Sequence, residues 1–460
     1  MRIWVKYNGL VMKIQPPEFV FTIIDKFEEK DFEIYIVGGA VRDVLTGSEV
    51  DDWDFTTNAT PEEILKIIPD GFYGNTFGTV GISEPSSVNP YEITTFRTEH
   101  GYSDFRRPDK VSWGKTIDED LKRRDFTINA MALKRVEGEE FEIIDLYDGQ
   151  KDLAAKLIRA VGDAHERFSE DALRMMRGIR IASELGFKIE EKTFDAIIKN
   201  APLINKIAKE RVKEELFKIF ASPDPHHGMV LFKDSGLMEQ IIPEMYKAFG
   251  VEQKSPGRHH IYDVGTHSLF ALKACKSEDP LVRFATFIHD IGKPTTYKKE
   301  GAMITFYNHE YVGAKIAENI ADRLKFSSKE KERLILLVRW HQFTVDEKQT
   351  DSAIRRFIRN VGLEHVEDML TLRVADRLGG GATETSWRLE EFKKRLVEVQ
   401  KEPFAVKDLK IDGNDVMKEL NLKPGPKVGE ILNTLFEEVV EKKIENKRES
   451  LLGRLKKLGS

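Results

Sequence analysis

Hydrophobic and polar positions change period once along this chain. Between Phe32 and about Gly162, apolar residues alternate with polar ones or stand in short β-branched runs, at 32–37, 52–57, 79–83, 91–98, 128–134 and 142–146, with stretches of helical spacing between them. This pattern predicts a small α+β head. From His165 onward the spacing turns to that of helices, beginning with 167–185, and strand signals are almost absent to the C-terminus, so the remainder reads as all-α. Turn-forming breaks at 221–227, 250–260, 379–382 and Pro403 divide it further. The implied organisation is an extension (1–11, with Met12 an equally good start), a head (12–162), a helical neck (163–225), a helical body (226–400) and a tail (401–460).

Length agrees with several units, since 460 residues correspond to about three domains. No apolar run approaches the ~20 residues that span a bilayer, and the N-terminus lacks a secretory pattern. A membrane partner is therefore not expected. One cysteine, Cys275, cannot form an intrachain disulfide, which fits a cytoplasmic protein. Lys and Arg number 72 against 78 Asp and Glu, a net charge of −6, so a polyanion partner would need local basic patches.

The first chemically suggestive segment is Gly38-Gly39-Ala40-Val41-Arg42-Asp43 after the apolar run 32–37. A glycine turn into a helix start brings backbone N–H groups and an arginine to one place, where a phosphate would be held. Taken alone it is equally a plain strand-to-helix turn. In Asp51-Asp52-Trp53-Asp54-Phe55, Asp52 and Asp54 stand two apart in a β-run and so project from one face. Such carboxylates repel unless divalent cations lie between them and a triphosphate, as in two-metal nucleotidyl transfer. The alternative is an acidic edge strand facing solvent. Glu92 alternates in the same way on a later run and is a candidate third carboxylate.

Asp171 and Arg174, at i and i+3 in a helix expected to start near Phe168, would point from one face. An acceptor-only Asp beside a donor-only Arg matches the amino group and adjacent ring nitrogen of cytosine and adenine, and mismatches guanine and uracil. The bland alternative is a solvated ion pair.

Four motifs, Gly38–Asp43, Asp52-Trp53-Asp54, Arg123-Arg124-Asp125-Phe126-Thr127-Ile128-Asn129 and Glu170-Asp171-Ala172-Leu173-Arg174, follow one another over about 140 residues. In this order they resemble the class II tRNA nucleotidyltransferases: the CCA-adding enzymes and their bacterial poly(A) polymerase relatives in the DNA polymerase β superfamily. The resemblance implies a polymerase-β-like head with a small sheet and Mg2+ at Asp52 and Asp54. It implies triphosphate binding by Gly38, Gly39 and Arg42, and nucleotide contacts from Arg124, Asp125 and Asn129. Asp171 and Arg174 then become the protein template for C and A, while Arg177 and Arg180 extend the same helix toward triphosphate, base or packing. Segment 101–109 matches the loop that CCA-adding enzymes need for the final A. Asp145 to Leu153 resembles the hinge between head and neck, and Arg211 with Glu215 the last neck motif.

In the body, His267, His289-Asp290, His309, His341 and Asp376 resemble the H…HD…H…H…D order of HD-domain phosphohydrolases. Imidazoles with two carboxylates suit a divalent metal of unspecified identity that activates water against a phosphoester; a second ion at His309 and His341 follows only by analogy. The tail has a Gly-Pro turn at 424–426 and a Lys-rich final helix, which suits recognition of the tRNA acceptor and elbow region by shape. The expected activity is addition of CCA to the tRNA 3′ end from CTP and ATP, with an A-adding enzyme or a poly(A) polymerase as the alternative.

Overall fold

The structure, a computed structural model, describes residues 11–50, 52–73, 78–83, 90–100, 110–253, 261–343, 349–384, 386–399, 406–441 and 443–459. The loop predicted at 101–109 lies outside the described residues. The chain forms two compact units, Met1–Lys247 with Ile320–Ser327 and Ala248–Asn319 with Ser328–Ser460. No helix among the described residues is long and apolar enough to cross a membrane.

The first unit is built on strands β1 (Val11–Lys13), β2 (Ile34–Val37), β3 (Asp54–Thr57), β4 (Phe72–Tyr73), β5 (Thr79–Ile82), β6 (Tyr91–Thr95), β7 (Arg97–His100), β8 (Lys110–Trp113), β9 (Met131–Glu137) and β10 (Glu140–Asp145). Eight of them form one sheet in the order β1-β10-β9-β2-β3-β6-β5-β4, while β7 and β8 make a separate ribbon. Within the large sheet β3 and β6 run parallel and all other neighbours antiparallel. Strand alternation assigns the faces: Phe55, Ile93 and Val80 are cross-strand partners and fully buried, which leaves the neighbouring row free for polar residues. Helices Ala164–Glu170, Leu173–Leu185, Glu191–Asn200 and Lys209–Ala221 follow. Gly178 lets the second of these approach the head, because a Cβ there would lie 2.8 Å from the Phe126 ring.

Three local expectations are corrected. Strand β3 begins at Asp54, so Asp52 precedes the strand instead of belonging to it. The run expected from Ile128 starts as a 3-10 turn, Thr127–Asn129, and becomes β9 only at Met131. The helix expected to run unbroken through 167–185 is interrupted: it stops at Glu170, Asp171 is extended (φ −135°, ψ 103°), and a new helix begins at Leu173. The Asp171 carboxylate causes the restart by accepting the Leu173 N–H at 3.0 Å, the local capping that makes Asp unfavourable inside a helix.

In the second unit His267 and Asp376 lie within helices Val264–Ala274 and Val366–Gly379, His309 opens helix His309–Arg323, and His289, Asp290 and His341 directly follow helices Pro280–Ile288 and Ser328–Trp340. A hairpin of Lys298–Glu300 with Met303–Thr305 interrupts the helices. The tail helices Gly413–Leu420, Pro426–Val440 and Arg448–Gly459 have a core of their own, with Val416, Leu435, Phe436, Leu451 and Leu455 at its centre.

Candidate active site

Gly38 turns from β2 into helix Gly39–Thr46 with φ 75°, and its Cα hydrogens face Arg124 and Asp54: a Cβ would lie 3.4 Å from both Arg124 Nη1 and Asp54 Oδ2. The positive φ therefore selects glycine, and the two side chains lie in ordinary van der Waals reach of the turn. Next to the turn, Val37 pairs with Asp54, and one step before the paired Phe55 and Ile93, Asp54 and Glu92 stand side by side on β3 and β6. Burial, then Asp52, then Glu92 push the Asp54 carboxyl up to about 7. Burial and Asp52 also raise Glu92. The three carboxylates thus form one electrostatically coupled group, as a cation-binding donor set requires.

Arg124 and Arg177 oppose the upward shift at Asp54, and they, like Arg42 and Arg123, are each held by an acid. Asp43 takes the Arg42 guanidinium through Nε and Nη2 at 2.8 and 2.9 Å, and Arg42 Nη1 donates to Asn129 Oδ1 at 3.1 Å. Buried Asp120 receives Arg123 Nη2 at 2.5 Å and Arg124 Nη2 at 3.1 Å. Arg177 Nη2 lies 2.9 Å from Asp125, whose burial would raise its pKa but is outweighed by Arg177 and Arg174. Asp125 also accepts the Phe126 N–H at 2.8 Å, so it acts as an anchor for the arginines. Arg180 is not brought to this group; Glu215 and Glu184 hold it at 2.9 Å within the neck.

Asp171 and Arg174 are each oriented by different partners. Glu170 Oε2 accepts from Arg174 Nη1 at 2.6 Å, and the carbonyls of Arg167 and Arg123 accept from Nη1 and Nη2 at 3.2 and 3.0 Å. Arg211 Nη2 reaches Asp171 Oδ2 at 3.5 Å. Residue types and spacing did not point to Asp43 or Asp120 as anchors; the i,i+3 and i,i+4 spacing of Asp120 to Arg123 and Arg124 was the available signal.

The second unit holds a separate cluster. His267, His289 and Asp290 form one potential metal-binding triad, and Asp290, His309 and His341 another, with ligand atoms in each within 4.8 Å of one another. Asp290 joins them. Its Oδ2 lies 3.2 Å from His289 Nε2 and 3.6 Å from His267 Nε2, and its Oδ1 3.4 Å from His309 and 3.6 Å from His341. Asp376 Oδ1 is 3.1 Å from His267 and 3.5 Å from His289. The rings are aimed from behind: Nδ1–H of His289, His309 and His341 donates to the carbonyls of Thr286, Phe306 and Val338 at 2.7, 2.9 and 2.7 Å, which leaves Nε2 toward the cluster. Burial opposes charge on His289, yet Asp290 and Asp376 raise it to about 10. Lys293, unassigned by its position in the motif, contacts Asp290 Oδ2 at 2.6 Å. An open cavity of about 690 Å³ leads to the cluster and is lined also by Lys293, Arg373 and Arg377.

The head sheet and its carboxylate group define a nucleotidyltransferase of the polymerase β type. Residues 34–159 match the family described as Poly A polymerase head domain, 186–249 the Probable RNA and SrmB- binding site of polymerase A, and 298–455 the family tRNA nucleotidyltransferase domain 2 putative. The CCA-adding enzyme of Ligilactobacillus salivarius is 35% identical over 453 residues, covering 98% of this chain and 99% of its own. That of Lactococcus lactis is 34% identical over 97% of this chain and 100% of its own. The crystal structure of the Bacillus stearothermophilus CCA-adding enzyme in complex with CTP matches with a TM-score of 0.71 and 28% identity, over 97% of this chain and 98% of that one. The chain belongs to the CCA-adding enzyme family of tRNA nucleotidyltransferases.

Proposed function

We propose that this protein adds C, C and A to the 3′ end of tRNA from CTP and ATP, in the cytoplasm, with Mg2+ held by Asp52 and Asp54 and Glu92 beside them. The supporting observation is the coupling of these three carboxylates next to the Gly38 turn, where burial and mutual repulsion oppose the charge of Asp54 and a bound cation would favour it. Bound Mg2+ supplies the chemistry of two-metal transfer, a lowered pKa for the terminal 3′-OH and neutralisation of the leaving pyrophosphate. The chain's own groups do the rest. Gly38, Gly39 and Arg42 hold the triphosphate, and Arg124, Asp125 and Asn129 position the nucleotide, with Arg177 oriented by Asp125. Asp171 accepts from the amino group of cytosine or adenine while Arg174 donates to the neighbouring ring nitrogen.

A second reading concerns the body. Two triads sharing Asp290 are the donor set of a paired divalent site, and the cationic lining of its cavity suits a phosphoester. We propose that His267, His289, Asp290, His309, His341 and Asp376 hold it, and that phosphate or 2′,3′-cyclic phosphate on an RNA end is its substrate. Asp52→Ala and Asp290→Ala separate the two activities. The first is expected to lose nucleotide incorporation by at least 1000-fold and keep hydrolysis of 2′,3′-cyclic nucleotide, the second to do the reverse. Incorporation unchanged by Asp52→Ala would contradict the head assignment, and hydrolysis unchanged by Asp290→Ala the body assignment.

A further inference from the structure

Cross-strand register places four residues in one row across four strands of the head. Asp54 on β3 stands beside Glu92 on β6, Glu92 pairs with Gly81 on β5, and Gly81 pairs with Phe72 on β4. Partners in register share a face, so this row lies opposite the buried row of Phe55, Ile93 and Val80. Gly81 has a reason to lack a side chain: a Cβ there would lie 2.4 Å from Phe72 Cζ and 2.7 Å from Cε2, so the ring lies across Gly81 itself. It nevertheless remains 48% exposed. The catalytic face therefore continues, past its third carboxylate, into an open aromatic surface two strand spacings, about 10 Å, from Glu92.

The direction of the reaction says what lies there. In the proposed function, on which this inference rests, the triphosphate occupies the Gly38 turn, on the β2 side of Asp54. Attacking and leaving oxygens in phosphoryl transfer are roughly in line, so the 3′-oxygen of the acceptor strand must come from the opposite side, over Glu92. The base attached to that terminal ribose then lies further along the row. We infer that Phe72, seated on Gly81, is the stacking platform for the last, unpaired base of the acceptor RNA. Stacking is tolerant of base identity, as a site must be whose acceptor ends first in the base preceding CCA, then in C, then in C again. Base choice stays with Asp171 and Arg174, which face the incoming nucleotide.

A tRNA transcript lacking CCA and ending in 2-aminopurine tests this, because stacking on an aromatic ring quenches the probe's fluorescence. Wild-type protein is expected to quench it, and Phe72→Leu, which keeps an apolar cover over Gly81, to lose the quenching. KM for the transcript should rise about fivefold or more with KM for CTP within about twofold. Phe72→Trp should restore both, and Gly81→Ala, which displaces the ring, should resemble Phe72→Leu. A wild type that does not quench overturns the inference without any variant. Extension and quenching both indifferent to Phe72→Leu overturn it alone, whereas a wild type that extends no RNA overturns the proposed function and the inference together.

Discussion

Asp54 is the residue at which the head's electrostatics concentrate. Its ordinary value of 3.8 is pushed up to about 7 by burial, Asp52 and Glu92. Between about pH 4 and 7 the folded protein therefore keeps a proton that the unfolded chain has released, and metal-free stability falls as pH rises through that window. The deficit is complete above about 7. Asp54→Asn removes it, so in EDTA the variant should exceed the wild type in unfolding free energy at pH 8, by at most about 4 kcal/mol, with the difference vanishing toward pH 4. Equal stabilities at pH 8 in denaturant titrations would contradict the carboxylate coupling. Arg42, Arg124 and Arg177 follow the same logic from the other sign. Each is fixed by an acid, Asp43, Asp120 or Asp125, so the positive charge proposed to meet a triphosphate would be in place before a nucleotide arrives.

At the scale of elements, the break between helices Ala164–Glu170 and Leu173–Leu185 sets the placement of Asp171 and Arg174, the residues proposed to read the base. A continuous helix would place Asp171 and Arg174 by spacing alone, whereas the extended Asp171 is placed by Leu173 N–H and Arg211, and Arg174 by Glu170 and two carbonyls. Asp171→Ala should raise KM for CTP and ATP by about 5- to 150-fold and admit UTP, because one side of a bidentate contact is lost. Arg211→Ala should do the same more weakly, since it acts by positioning Asp171; steady-state incorporation with each of the four nucleotides checks both. Discrimination against UTP that survives Asp171→Ala would remove Asp171 from base reading. The break was not legible in the sequence because no Gly or Pro marks 168–173 and both flanks keep helical spacing. The strands bearing Asp54 and Glu92 were legible, being apolar on alternate positions. The hairpin at 298–305 was not, since Lys298–Glu300 is wholly charged, and Val11–Lys13 and Phe72–Tyr73 are too short to show a period. Order and type singled out the six body residues as candidate metal ligands, but only the fold shows Asp290 standing between the two triads. Gly292 contributes to that placement: a Cβ there would lie 2.0 Å from the His309 carbonyl, so the chain after Asp290 passes directly against the start of the His309 helix.

At the scale of the whole molecule, each compact unit carries its own polar centre, three coupled carboxylates in the first and four histidines around Asp290 and Asp376 in the second. The tail is less basic in effect than its lysine content suggests, because Arg454 lies 2.5 Å from Glu438 and Lys456 3.3 Å from Glu419, while Arg448 pairs with Asp415. Membership of the CCA-adding family makes the central claim one about where addition stops. Labelled CTP and ATP, separately and together with Mg2+, on tRNA transcripts lacking CCA, lacking only A, or complete, measure it directly. Two C and then one A are expected on the first transcript, A alone on the second, and nothing on the third. With both nucleotides supplied, ATP incorporation restricted to the CC-ending transcript with no C added to the first, or open-ended A tailing, would contradict it.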